Sequence, residues 1–104
     1  MEGCLYKHVG SDNYYMVCGV GSYFILVKDF NDFGERFIQK DEIALNYKSI
    51  DFNSNNVKQL LDNYDRFEGN INYSNLKDFY LIIYNDRKYF IRTWKDIYEF
   101  IIKN

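Results

Sequence analysis

The first third of the chain shows short apolar runs separated by turn signals, a pattern typical of antiparallel strands. Residues 4–9 and 14–20 are rich in aromatic and β-branched side chains, which favour strands. The Ser-Asp-Asn segment at 11–13 separates them as a turn. Residues 21–22, Gly-Ser, predict a two-residue hairpin turn because glycine tolerates positive φ. Residues 23–28 are then expected to form the third strand.

The middle of the chain is less regular. The third strand carries apolar residues on both faces, so we expect it to be central and covered on both sides. Residues 29–36 predict a polar loop that contains Phe30 and Phe33. Residues 37–50 are ambiguous, because Ile43, Ala44 and Tyr47 fit a short helix whereas Phe37 and Ile38 fit the start of a strand.

The second half gives clearer patterns. Residues 54–67 predict a helix capped by Ser54, with apolar residues at helical spacing and Gly69 as a stop signal. Residues 70–75, which are rich in Asn, predict a loop. Residues 78–84 and 88–92 are expected to pair as antiparallel strands around a turn at 85–87. The final helix should begin after Thr93, with Asp96 completing a capping box. Its predicted apolar stripe contains Trp94, Ile97, Tyr98, Ile101 and Ile102.

This order of elements predicts the α+β class. We expect one small domain over residues 1–104, built as a mainly antiparallel sheet of about five strands with two or three helices packed on it. A mass of 12.6 kDa suits a single core. Half of the residues are Asn, Ile, Lys, Phe or Tyr, and proline is absent. These preferences follow AT-rich codons, so the excess of tyrosine does not itself indicate a function.

Charge and targeting signals limit the partners. The formal net charge is −2 and the sequence pI is near 5.3, which makes nucleic acid an unlikely partner because phosphate binding needs many cations. Residues 1–8 show no basic segment followed by an apolar stretch, and no apolar run approaches the length that spans a bilayer. We therefore expect a cytoplasmic protein with no membrane partner and with reduced thiols.

Few side chains are suited to catalysis. His8 is the single histidine, and a nucleophilic dyad would need Cys4 or Cys18 beside it. The same three residues are one short of a four-ligand zinc site and lack paired cysteine spacing. The expectations are no enzyme activity, no metal and no cofactor.

Protein recognition is the remaining chemistry. The stretch 29–42 is acidic and has aromatic residues between its charges, and interfaces enrich aromatic anchors while acidic groups steer a basic partner. The alternative is a solvated loop whose Phe side chains hold it to the core. Residues 87–92 interleave basic and aromatic residues, so a surface for single-stranded nucleic acid is a second possibility. The predicted partner-binding residues are Asp29, Asp32, Phe33, Glu35, Asp41 and Glu42.

The sequence therefore predicts a small acidic binding protein. By analogy of class, we expect an immunity or inhibitor protein that neutralises a cognate bacterial toxin, such as a nuclease, by direct contact. The alternatives are a phage or mobile-element protein that inhibits a host defence factor and a nucleic-acid-binding regulator. Reversing Asp29, Asp32 and Glu35 to Lys is expected to slow association and to leave the melting temperature nearly unchanged. The sequence leaves the oligomeric state open.

Overall fold

Eight strands and three helices form in this chain, and the computed structural model describes residues 1–104. The strands make two antiparallel sheets, one of five strands and one of three. This confirms the α+β class and the antiparallel arrangement, although the strands divide between two sheets. The chain separates into two compact units, residues 1–51 and 52–104. A single domain over the whole chain stays a prediction.

The elements of the first unit are β1 (Leu5–His8), β2 (Tyr14–Val20), β3 (Phe24–Asp29), β4 (Glu35–Gln39), α1 (Lys40–Asn46) and β5 (Tyr47–Ile50). The elements of the second unit are α2 (Ser54–Leu61), β6 (Asn72–Asn75), β7 (Tyr80–Tyr84), β8 (Arg87–Ile91) and α3 (Trp94–Lys103). None of the three helices combines the length and the apolar character that crossing a membrane requires.

The five-stranded sheet has the order β4-β3-β2-β1-β5. Side chains alternate between its faces, because successive residues of a strand point in opposite directions. One face carries a buried apolar cluster, and Cys4, Tyr6 and Tyr47 pack against it. The buried members of this cluster are Tyr15, Val17, Ile25, Val27, Ile38 and Ile43. We call the opposite side of β3 and β4 the outer face.

The ambiguous residues 37–50 form the end of β4, α1 and β5. Asp29 belongs to β3 and residues 35–39 form β4, so the predicted loop at 29–36 is too long by its first residue and its last two. The turn forms because Phe33 adopts a positive φ of 60° and an Asp32 carboxylate oxygen accepts the Gly34 N–H at 2.8 Å. Such local side-chain bonds favour tight turns.

Helix α2 is shorter than predicted and has a different cap. Asn53, not Ser54, is the N-cap, and its side chain accepts the Asn56 N–H at 2.9 Å. The helix ends at Leu61, because the N–H groups of Asn63 and Tyr64 bond three residues back in tighter turns. Phe67 is nevertheless buried, so the last apolar residue of the predicted helix packs into the core from outside α2.

The three-stranded sheet contains one strand that the pattern did not predict. Strand β6 lies in the segment predicted as an Asn-rich loop and pairs with β7. A turn joins β7 and β8 as predicted, but it contains only Asn85 and Asp86, because Arg87 already belongs to β8. Asn85 and Asp86 have φ of 51° and 62°, as a two-residue type I′ turn requires.

Helix α3 begins as predicted, with a complete capping box between Thr93 and Asp96. Its buried stripe differs at one position from the prediction, since Phe100 is buried and Ile102 is 54% exposed. Replacing Thr93 with Ala should lower the free energy of unfolding by about 1 kcal/mol, because the Asp96 N–H loses its acceptor. Urea denaturation checks this value. Thr93→Ser keeps the hydroxyl and serves as the control, and equal stability of Thr93→Ala and Thr93→Ser would contradict the role of the cap.

Tyr73 on β6 gives a prediction for alkaline pH. Burial raises the pKa of its hydroxyl to about 12, and Asp62 adds to the rise. The unfolded chain ionises near the usual value of about 10, so the unfolded state binds fewer protons in this window and stability falls as pH rises from 10 to 12. Melting temperatures measured across these pH values should fall less steeply in Tyr73→Phe than in the wild type. Parallel curves would contradict the raised pKa.

Candidate protein-binding surface

The hairpin between β2 and β3 is shaped by a bulge and a tight loop. The pairing register shifts between Val17 and Gly19, which makes Cys18 the extra residue of a β-bulge. The Cys18 thiol donates to the Leu26 carbonyl oxygen at 3.4 Å. At the end of the hairpin the Gly21 N–H donates to the Phe24 carbonyl oxygen at 2.8 Å. Gly21 suits this closure, because a Cβ there would lie 3.1 Å from the same oxygen.

Large apolar side chains are exposed around this hairpin. Tyr23 is 80% exposed, Phe37 72% and Val20 50%. Phe24 meets Phe37 edge-to-face, with 6.5 Å between the ring centroids. Together they border an open hollow of about 620 Å³, which we call the hairpin groove. Its lining residues are Gly19, Val20, Gly21, Ser22, Tyr23, Phe24, Leu26 and Phe37.

The floor of the hairpin groove depends on a glycine. Gly19 pairs with Leu26 across the strands, and a Cβ added at Gly19 would lie 3.4 Å from the Leu26 Cβ. This distance is close to ordinary van der Waals contact, so the fold could accommodate a larger residue at position 19, whose side chain would fill the hollow. Because position 19 is a glycine, the concave apolar surface stays open.

Exposed carboxylates lie on β4 and at the start of α1. Glu35 lies on the outer face two residues before Phe37 in β4. Asp41 and Glu42 are exposed in the first turn of α1. The Lys40 N–H donates to the Tyr23 carbonyl oxygen at 2.9 Å, which ties the start of α1 to the hairpin. We call Glu35, Asp41 and Glu42 the acidic rim.

Asp29 has a different environment from the other acidic residues. Its side chain is only 6% exposed and lies 2.8 Å from the Arg36 guanidinium. It also accepts the Asn31 N–H at 2.6 Å. Arg36 contacts Asp32 at 3.1 Å as well and lies over the Tyr15 ring. These bonds hold the turn between β3 and β4, so Asp29 stabilises the fold and is not available to a partner.

The structure thus separates the six predicted partner-binding residues into two groups. Glu35 is exposed on the outer face of β4, and Asp41 and Glu42 are exposed in the first turn of α1. Asp29 and Asp32 bond to Arg36, and Phe33 is half-buried in the turn. The expectation that reversing Asp29 would leave the melting temperature unchanged is therefore replaced by one of strong destabilisation.

Sequence reasoning missed the apolar half of this surface. The third strand was expected to be covered on both sides, but its residue Phe24 is 44% exposed. Val20 and Tyr23 lie in predicted strands, and neither was predicted to bind a partner. The signal that could have found them is the run of large side chains directly around Gly21-Ser22, because a hairpin end is solvent-exposed.

The residues considered for catalysis have ordinary structural bonds. His8 accepts the Gly10 N–H at 3.2 Å through Nδ1 and packs edge-on to Tyr47. Burial raises the pKa of the Cys18 thiol, with Glu35 adding to the rise, so this thiol stays protonated at neutral pH and is a weak nucleophile. No group of three or more His, Cys, Asp or Glu residues is placed to hold a metal ion.

The second sheet has an exposed aromatic residue, Phe90, that contacts the half-buried Phe79. Phe90 is 61% exposed and meets Phe79 at 5.3 Å between ring centroids. Arg92 lies over the Phe79 ring at 5.8 Å. Within residues 87–92, Ile91 is buried whereas Lys88 and Arg92 are exposed. Phe90, in contrast, faces outward.

Comparison with known proteins finds no match for this chain among family models, curated proteins or solved structures.

Proposed function

We propose that this protein is an inhibitor of the immunity type, which neutralises a basic protein by binding it through the hairpin groove and the acidic rim. The observation that carries the proposal is the cluster of exposed aromatic side chains around an open apolar hollow. Large exposed apolar patches on small proteins are typical of interaction sites. The target class that suits the proposal best is a bacterial toxin such as a nuclease.

The apolar part supplies the anchoring energy. Tyr23 and Phe37 are mostly exposed and would lose much of their water contact on binding. Tyrosine is also enriched among the residues that dominate binding energies. The hollow between these side chains can receive an apolar side chain of the partner. Affinity is therefore expected to depend on a few aromatic residues.

The charged part supplies orientation and speed. Three exposed carboxylates lie on β4 and in the first turn of α1, and the first unit as a whole carries more acidic than basic residues. A positively charged partner would be steered to this side, which raises the association rate and makes it sensitive to salt. A nuclease active site is basic because it binds phosphates, so carboxylates are suited to occupy it.

The proposal is tested by affinity capture from the native cell, followed by an activity assay on the captured protein. We expect a basic protein that binds one-to-one and loses its activity in the complex. The matched bait is a triple variant, Glu35→Gln, Asp41→Asn and Glu42→Gln, which removes the acidic rim without changing side-chain size. It should associate at least about tenfold more slowly at low salt and show a weaker salt dependence. A captured protein that is acidic, or that keeps its activity in the complex, would contradict the proposal.

A second candidate function is the binding of single-stranded nucleic acid by the second sheet. Phe90 and Phe79 are available for stacking, and Lys88 and Arg92 provide cations beside them. Stacking and phosphate contacts together are the means by which such surfaces bind single strands. Fluorescence anisotropy with a short labelled oligothymidine at low salt tests it. Binding that weakens with salt and disappears in Phe90→Ala would support this function. An unchanged anisotropy at low salt would contradict it.

A further inference from the structure

Strand β4 ends the five-stranded sheet with its hydrogen-bonding edge outward. The Lys40 N–H bonds to the Tyr23 carbonyl, and the Asp29 N–H bonds to the Gly34 carbonyl. Because such pairs alternate along an antiparallel ladder, the even-numbered residues of β4 bond to β3. The outward-facing backbone groups therefore belong to the odd-numbered residues: Glu35 and Phe37 each present an N–H and a C=O, and Gln39 presents its N–H. The Gln39 C=O accepts the first hydrogen bond of α1, because Gln39 is the N-cap of that helix.

We propose that β4 pairs with β4 of a second copy of this chain, antiparallel and centred on Phe37, to form a two-fold symmetric dimer. The pairing follows from the edge geometry and does not depend on the proposed function. In this register Phe37 lies opposite Phe37 of the second copy, and Glu35 lies opposite Gln39. The two Phe37 residues exchange two backbone hydrogen bonds across the axis, and each Gln39 N–H donates to the Glu35 carbonyl oxygen of the second copy.

Side-chain chemistry favours this register. Phe37 is 72% exposed, and pairing two aromatic residues across an antiparallel ladder stabilises a sheet. No like charges face each other directly, because Glu35 meets Gln39 and Arg36 meets Ile38. The charge of Arg36 is already held by Asp29 and Asp32.

The neighbouring registers are less favourable. Pairing centred on Arg36 would place two guanidinium groups directly opposite each other, and like charges in that position destabilise a strand pair. Pairing centred on Ile38 would bring Arg36 opposite Lys40, which is also positively charged and already belongs to α1. Only the register centred on Phe37 uses the whole of β4.

The hairpin groove gains from this dimer. Phe24 and Phe37 lie on the same outer face of adjacent strands, so a two-fold axis at Phe37 joins the aromatic pairs of both copies into one strip. The most exposed apolar side chain of β4 would lose part of its contact with water. Closed two-fold pairing occupies the edge of β4 in both copies. The dimer therefore protects a strand edge with an exposed Phe from open-ended association.

The first test uses Gln39, whose φ of −66° and ψ of 140° suit proline. Gln39→Pro removes an N–H that points out of the sheet, so the fold should be kept, and equal circular dichroism spectra check this. Gln39→Ala retains the N–H and is the matched control. Sedimentation equilibrium of the wild type and of Gln39→Ala should show a mass that approaches twice 12.6 kDa as concentration rises from about 1 µM to about 1 mM. Gln39→Pro should weaken association by about tenfold or more, because both copies lose a hydrogen bond.

The second test fixes the register. Paired residues of a hydrogen-bonded antiparallel ladder have Cα atoms about 5.5 Å apart, which a disulfide can bridge. In a background with Cys4 and Cys18 replaced by Ser, Phe37→Cys should form a disulfide-linked dimer on oxidation, whereas Glu35→Cys should not. A wild type that stays monomeric over the whole concentration range would overturn the dimer. Cross-linking through position 35 as efficient as through position 37 would overturn the register. Neither outcome bears on the capture experiment, which tests the proposed function separately.

Discussion

Replacing Asp29 with Ala is expected to lower the free energy of unfolding by about 2–3 kcal/mol. Removing one partner of a buried ion pair is costly, because the remaining groups lose their bonds. Here Arg36 loses its closest carboxylate and the Asn31 N–H loses its acceptor. The value falls below that for a fully buried pair because the Arg36 side chain is 46% exposed.

The matched control for Asp29 is Asp32→Ala. Asp32 contacts the same guanidinium at 3.1 Å, but its side chain is 61% exposed. Exposed ion pairs contribute little, so Asp32→Ala should cost less than about 1 kcal/mol. Urea denaturation of both variants provides the comparison. Equal losses of stability would show that Asp29 is not the residue that holds this turn.

The second large effect concerns partner binding at the end of the hairpin. The double variant Val20→Lys and Tyr23→Lys should weaken binding of the captured partner by at least about 100-fold, because aromatic anchors carry most of an interface's energy and two added cations repel a basic protein. Both side chains are at least half exposed, so the melting temperature should change little. This variant leaves Phe37 and the edge of β4 intact.

The control for the double variant lies in the second unit. Leu76→Lys and Phe90→Lys makes the same chemical change at side chains that are 45% and 61% exposed. It adds the same charge to the protein but leaves the hairpin groove untouched. Isothermal titration calorimetry should give a dissociation constant within about threefold of the wild type for this control. A similar loss in both double variants would mean that net charge, and not the hairpin groove, determines affinity.

Local signals explain why much of the fold could be predicted. Thr93 and Asp96 form a capping box from residues three apart, and the Asn85-Asp86 turn has residues that tolerate positive φ. The hairpin around Gly21-Ser22 was predicted from the same kind of signal, but neither residue has a positive φ, and the Gly21 N–H bond to the Phe24 carbonyl oxygen closes the loop instead. Such elements depend on neighbouring residues and need no long-range contact.

Elements that depend on distant partners were missed. Strand β6 has the sequence Asn-Tyr-Ser-Asn, which lacks apolar alternation, and it is a strand because β7 pairs with it. Strand β4 was partly assigned to a loop, since its first two residues are charged. Tertiary pairing overrides weak local preference in both cases.

The candidate site was half predictable for a related reason. Carboxylates of a sequence look alike, and only the position of Arg36 separates the buried Asp29 from the exposed Glu35. Whether an aromatic residue is buried or exposed likewise depends on which face of the sheet its side chain lies on. The bulge at Cys18 determines which residues face the hollow, and the local sequence does not predict this bulge.

The central claim is that the hairpin groove with its acidic rim is the surface that binds a protein. Hydrogen–deuterium exchange of the protein with and without its captured partner tests this most directly, because bound surfaces exchange more slowly. We expect slower exchange in residues 19–26 and 35–42 and little change in residues 72–92. Protection confined to residues 72–92, with residues 19–26 and 35–42 exchanging as in the free protein, would contradict the claim.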